Sequence, residues 1–388
     1  MAFNPDLRLA RLRAGQAAVR AEHAGLWADP QFSFDLLRVA QSVPDPWVLA
    51  PSLTFTLPLS GRLEAQRELA DAQRDAAEEV ARENEWAIWC DVENAWIAWS
   101  AARLRVDETA RFVAALTELV ERTSELARQG ELPRTEARLF ELEAAQRGNR
   151  LTRLKGEAAT LEQGLRSVLG LSPQAPVQFE IAGLPVSTDT GDPEIVRARI
   201  TEQNPSLARL QRQYEVSEKT LQREVRRQYP DLVLGPAFES DAGQSRFGIT
   251  GWLPLPLFNR NQQAIAAARV GRELARANYE TAYQRLMGQW SATRARALAA
   301  AAQRDDLERR LVPLIDRQLT DALELMRLGE SSSLVLLQSL TRALDTKLDL
   351  IQAREDEALA LARLQRLTGP VNVSPQEPAT PVDPETQR

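Results

Sequence analysis

The chain has 388 residues, 26% charged and 44% apolar, with 48 Lys+Arg against 54 Asp+Glu for a net charge of −6. That length admits two or three ordinary domains or one very elongated one, and the charge gives no basic field for a polyanion, which argues against a nucleic-acid partner. One cysteine, Cys90, and one histidine, His23, exclude a disulfide framework and a Cys/His zinc or iron–sulfur site within one chain. His23 has no nucleophile motif near it, and neither G-x-x-x-x-G-K-[ST] nor G-x-G-x-x-G occurs. No catalytic residue, cofactor site or metal site is therefore assigned. No apolar run reaches the ~18 residues of a membrane-spanning helix, and Met1–Pro5 contains no basic-then-apolar export signal.

Asn4-Pro5 opens a helix, Asp6–Ala28, that Pro30 should end, because proline removes a backbone donor and clashes with the preceding turn. Residues 31–58 read as a hairpin. In its first strand Phe32, Phe34 and Leu36 alternate with Gln31, Ser33 and Asp35. In its second, Leu49, Leu53, Phe55 and Leu57 alternate with Ala50, Ser52, Thr54 and Thr56. Residues 60–129 form one helical run rich in Ala, Leu, Glu, Arg and Gln. At 1.5 Å per residue it would be about 100 Å long, more than a globular core needs. Trp86, Trp89, Trp96 and Trp99 fall on it as an a/d seam. Packing on a neighbouring helix is the expected use of that seam, and an aromatic ligand stripe is the sharper alternative. The interleaved Glu83, Glu85, Asp91 and Glu93 read as a solvated face. A turn at Gly130 leads into a helix over 133–169, and residues 171–203 include a strand-like Val177–Ile181.

From Asn204-Pro205 the order recurs: a helix Ser206–Gln228, a hairpin over 231–256, a long helix over 258–328 and a helix over 331–368. In this hairpin Leu232, Leu234 and Phe238 alternate with Asp231, Gly235 and Glu239, and Phe247, Ile249 and Leu253 with Arg246, Gly248 and Thr250. Asp241-Ala242-Gly243-Gln244 is its turn. Pro313 should kink or interrupt the second long helix, where the first half has Ala114. Asn-Pro, the helix-ending Pro, Leu-Pro-Leu, the turn Gly (Gly130, Gly329) and the Gly after each last helix (Gly170, Gly369) recur at offsets of 198 to 200. Residues 1–170 and 204–370 are thus read as a tandem repeat, with 171–203 between them and a disordered Pro/Glu/Thr-rich tail at 371–388.

Each strand is long enough to cross a bilayer when tilted. A half-buried hairpin at the end of a helical bundle is the other reading. Four strands cannot close a barrel, which needs about eight, and lipid tolerates no open edge. Membrane strands would therefore have to be shared between chains, and three chains would supply twelve.

This order resembles the TolC family of outer-membrane efflux proteins over residues 4–370. The sharpest stretches are Tyr229-Pro230-Asp231 and Trp252-Leu253-Pro254-Leu255-Pro256-Leu257-Phe258-Asn259-Arg260-Asn261-Gln262. The Trp252–Gln262 run is most similar to members paired with heavy-metal pumps of the cobalt–zinc–cadmium type. The resemblance implies a mainly α fold, a long antiparallel coiled-coil α-barrel plus four strands per protomer. It implies a homotrimer sharing a 12-stranded barrel in outer-membrane lipid, with a periplasmic extension. It further implies a passive duct rather than an enzyme, working with a periplasmic adaptor and a proton-driven inner-membrane pump. The family's adaptor-docking tips fall here on Arg128, Gly130, Leu132, Arg327, Gly329 and Ser331. Some members carry acidic residues six and nine positions after each tip Gly. Glu136 fills the first position, but Leu139, Val335 and Gln338 fill the others, so a pore-mouth ring would be partial. A solvated helix carboxylate is the alternative for Glu136. An export signal and a short helix are expected to be encoded upstream of Met1, since about 28 residues precede Asn204 where only three precede Asn4. Two further readings compete with the duct: a soluble coiled-coil scaffold, and a truncated, nonfunctional remnant of a duct gene.

Overall fold

The computed structural model describes residues 4–40, 46–181, 183–186, 192–241, 244–328 and 333–370. The first half runs α1 (Pro5–Glu22), β1 (Gln31–Arg38), β2 (Trp47–Leu57), α2 (Arg62–Gln129) and α3 (Arg134–Val168). The second runs α4 (Pro193–Gln203), α5 (Pro205–Arg226), β3 (Leu232–Asp241), β4 (Gln244–Trp252), α6 (Gln262–Asp306), a π turn (Leu307–Leu311), α7 (Val312–Arg327) and α8 (Ser333–Thr368). The fold is mainly α, with one small four-stranded antiparallel sheet. The Pro/Glu/Thr-rich tail lies outside the described residues.

Two compact units divide the chain. The first comprises Met1–Pro5, Glu85–Asn204 and Arg285–Arg388. Within it, Ile97 and Ala101 of α2 meet Leu344, Leu348, Ile351, Ala358 and Ala362 of α8, while Ala102 and Val106 meet Leu154 and Ala158 of α3. Alanine at these seams lets helices approach closely. Buried Asn4 donates from its side chain to the Val168 carbonyl at the end of α3, 2.8 Å away. Asn204 does the same to Leu367 at the end of α8, also at 2.8 Å. Gly170 and Gly369 follow at φ +73° and +88°. The Asn of each Asn-Pro and the Gly after each last helix are thus two parts of one C-terminal cap, satisfying carbonyls that a helix end leaves free.

The second unit comprises Asp6–Asn84 and Pro205–Gln284 and holds the sheet. Here Glu83 accepts from Ser206 (2.6 Å) and Arg209 (2.5 Å), Lys219 meets Glu68 (2.9 Å) and Arg62 meets Asp231 (2.7 Å).

Three expectations are corrected and one helix is added. Helix α1 stops at Glu22, six residues short of Ala28. Gly25 takes φ +64°, and a β-carbon there would lie 2.5 Å from the Leu63 carbonyl oxygen; the chain leaves the helix at this glycine, well before Pro30. Val177–Ile181 is no strand. The Ala175 and Val177 carbonyls accept instead from the Arg166 guanidinium (2.8 and 2.7 Å), which takes the place of a partner strand. Residues 171–203 also hold α4, N-capped by Asp192, whose carboxylate accepts from the Glu194 amide at 2.9 Å. Finally, the tryptophan seam divides. Trp99 is buried edge-on to Phe179 at 5.6 Å and Trp96 packs beside Ile97. Trp86 and Trp89 stack on each other at 5.1 Å, and Trp89 keeps 36% exposure.

The second long helix is interrupted as Pro313 requires, but without leaving helical geometry. The Val312 amide bonds to the Leu307 carbonyl, an i→i−5 contact that restarts the helix. Pro313 then sits in the first turn of α7, where no backbone donor is needed.

Candidate membrane sheet and helical tip turn

Strand order is β1-β2-β3-β4, every pair antiparallel. The register puts Phe32 opposite Leu53, Phe34 opposite Pro51, Leu36 opposite Leu49, Phe55 opposite Leu234, Pro236 opposite Ile249 and Phe238 opposite Phe247. Cross-strand partners share a face, so these side chains make one continuous apolar face over all four strands. The opposite face carries Gln31, Ser33, Asp35, Ser52, Thr54, Glu239, Arg246 and Thr250. Ser33 and Ser52 hydroxyls meet there at 2.6 Å. A sheet in water turns its apolar face to a core. Here that face is bare: Phe247 is 85% exposed, Ile249 83% and Phe32 70%. The edge strands β1 and β4 pair on one side only. Asp241 and Gln244 close the second hairpin; Ala242 and Gly243 lie outside the described residues.

A side-chain clamp fixes the corner from β4 into α6. Arg260 and Asn261 adopt φ +40° and +54°, unusual for residues other than glycine. The Asn261 amide donates to the Glu224 backbone carbonyl and to its carboxylate, both at 2.9 Å. Arg223 adds a 2.6 Å ion pair. Burial alone would raise the Glu224 carboxyl; the Asn261 hydrogen bond and the Arg223 and Arg227 charges outweigh it and hold the group below its ordinary value. The corresponding corner from β2 into α2 uses Gly61 at φ +68°.

The tip of the first half is a Schellman turn. Gly130 takes φ +81°, and the Glu131 amide reaches back to the Leu126 carbonyl at 2.9 Å. Pro133 then caps α3. Nothing lies within 4 Å of where a Gly130 β-carbon would be. Arg128 is exposed and pairs with Glu125 at 2.6 Å, while Leu132 is half-buried. Beside the turn, Ser124, Ala127, Arg128, Arg134, Ala137, Arg138 and Glu141 line an open groove of about 310 Å³ between α2 and α3. Glu136 accepts a hydrogen bond from the buried Ser333 hydroxyl at the start of α8. Leu139 and Val335 are exposed, as is Gln338. Arg327 ends α7, and Gly329 and Ser331 lie outside the described residues.

Sequence reasoning missed Glu224 and the ion pair of partly buried Arg304 with fully buried Glu357 (2.8 Å) that ties α6 to α8. Each resembles any charge on a polar helix face, and only its distant partner sets it apart. No described helix is long and apolar enough to cross a membrane, and the described residues contain no cluster of three or more His, Cys, Asp or Glu side chains able to hold a metal ion.

No protein-family model matches the sequence, and no curated protein does. Solved structures do match the fold. The outer-membrane channel OprN superposes with a TM-score of 0.79 at 18% identity, over 95% of this chain and 87% of that one. The outer-membrane protein VceC of Vibrio cholerae gives 0.77 at 17% identity, over 94% and 93%. CusC, whose structures describe folding and transmembrane channel formation, gives 0.76 at 16% identity, over 95% and 90%. At such identities the likeness establishes the fold: this chain is built on the plan of outer-membrane channels, helical barrel elements plus a four-stranded sheet.

Proposed function

We propose that this chain is one protomer of a passive outer-membrane export duct, a conduit without chemistry of its own. The carrying observation is the sheet, whose continuous apolar face is bare and whose edges β1 and β4 are both open. In lipid a bare apolar face is favourable and an open edge is not. Because the four strands alternate in direction, β4 of one copy meets β1 of the next antiparallel, continuing the ladder. Three copies then close a twelve-stranded barrel, a size consistent with a water-filled lumen lined by the Ser, Thr and charged face. The two halves of the chain are read as a tandem repeat of one helix–hairpin–helix–helix plan.

The fold likeness supports a working assembly of duct, periplasmic adaptor and inner-membrane pump. We assign adaptor docking to the tip turns: Arg128, Gly130 and Leu132 in the first half, Arg327, Gly329 and Ser331 in the second. The open surroundings of Gly130 leave backbone accessible to a partner. Heavy-metal cations are the substrate class that the Trp252–Gln262 run favours. Glu136 would join a cation-selecting mouth only by giving up its bond to Ser333.

The test is reconstitution of the purified full chain into planar bilayers. Ion-conducting pores are expected. Phe247→Arg and Ile249→Arg, which place charge on the lipid face at about 2–4 kcal/mol each near the midplane, should abolish insertion. Pores unaffected by both substitutions, or no pores from the unaltered chain, would defeat the reading.

A further inference from the structure

Away from the sheet and the tip, α2, the end of α3 and the extended segment after it enclose an open groove of about 270 Å³. Trp89, Glu93, Trp96, Leu165, Leu169 and Phe179 line it. Among the described residues, Glu93 is the only charged side chain on this lining. Its Oε2 is shut off from solvent and meets no donor. Two guanidiniums of this unit are committed elsewhere: Arg166, over the Phe179 ring at 5.3 Å, holds Glu162 and the Ala175 and Val177 carbonyls, and Arg366 holds Asp91.

Glu93 as a whole is half-buried, but a carboxylate oxygen shut off from water and left without a donor is costly. A cation beside it would remove that cost, and indole faces add an attraction of their own for a cation. Trp89 is held in place by its stack on Trp86, whose indole N–H donates to the Arg366 carbonyl at 3.1 Å. The remaining walls are aliphatic and aromatic. One carboxylate is too few oxygens for a calcium or magnesium ion, which needs six or more ligands. A weakly hydrated organic cation needs only the carboxylate, the π faces and apolar contact. The volume sits just below the ~300 Å³ at which drug-sized pockets begin, which sets the ligand as small.

We propose that this groove binds a small organic ammonium ion, its positive charge beside Glu93 and its alkyl groups against Trp89 and Trp96. Burial raises the Glu93 carboxyl. The site is formed within one chain.

Calorimetric titration of the detergent-solubilised full chain with choline, and with its uncharged shape analogue 3,3-dimethyl-1-butanol, tests this. One saturable site per chain is expected for choline, at least about tenfold tighter than for the alcohol. Glu93→Gln, nearly isosteric, should remove that preference, and Trp89→Leu at a partly exposed ring should weaken choline binding. Equal affinity for cation and alcohol, no binding of choline, or a Glu93→Gln protein that keeps the preference would each overturn the proposal. If Glu93→Gln does not fold, the cation-to-alcohol ratio of the unaltered chain decides alone.

Discussion

The two long helical stretches occupy matching places in the two halves of the chain, yet only one is regular. Helix α2 runs 68 residues without a break, while its counterpart passes through a five-residue π turn between α6 and α7. At the matching position the first has exposed Ala114 and the second Pro313. A proline inside an α-helix loses a hydrogen bond and clashes with the carbonyl four residues back. The π turn absorbs both by restarting the helix just ahead of the ring. The β-to-α corners teach the same lesson. One half reaches a left-handed backbone with Gly61; the other reaches it with Arg260-Asn261 and clamps it through Glu224. Equivalent geometry is thus obtained once from backbone freedom and once from side-chain bonds.

That contrast can be broken in order of expected effect. Ala114→Pro should be worst, costing about 3 kcal/mol, because α2 has no π turn to receive the ring. A thermal midpoint unchanged from the unaltered protein would show that position 114 already tolerates an interruption. Glu224→Ala should cost about 2–3 kcal/mol, since it orphans Arg223 and releases Asn261. The loss should shrink on an Asn261→Gly background, where the turn no longer needs its clamp; full additivity would refute the coupling. The pH dependence has a definite sign. The folded Glu224 carboxyl lies below its unfolded value, so its contribution is complete above the ordinary carboxylate range and fades as pH falls through that range to the folded value. Glu224→Gln should flatten that part of a stability-against-pH curve. Gly130→Val should cost about 1–2 kcal/mol through its positive φ alone, since no atom crowds the site. Under the docking proposal it should lower export while leaving the protein assembled in membrane fractions; unchanged export would confine Gly130 to helix capping. Smallest is Cys90: burial pushes its thiol up to about 12, so the folded chain should resist maleimide at pH 8 and react once unfolded.

Much of this was legible from residue order. The hairpins declared themselves by period-2 alternation bounded by turn residues, and the long helices by composition and length. Gly130 was legible because a lone glycine between two helical runs has few other uses. Helix α4 was not: it has eleven residues, and only Val196 and Ile200 among them are buried. Val177–Ile181 alternates like a strand, but alternation cannot reveal whether a partner strand exists, and Arg166 took that place. The Glu224–Asn261 clamp joins residues 37 positions apart and left no local signal. Asn4 and Asn204 were visible as landmarks; that each caps a helix more than 160 residues further on was not.

The central claim is that four strands per chain close into a barrel only by sharing. Light scattering on the detergent-solubilised full chain, corrected for bound detergent, measures this directly. Three chains per particle, and loss of the folded particle when detergent is removed, is the predicted result; a monodisperse single chain stable without detergent would contradict it.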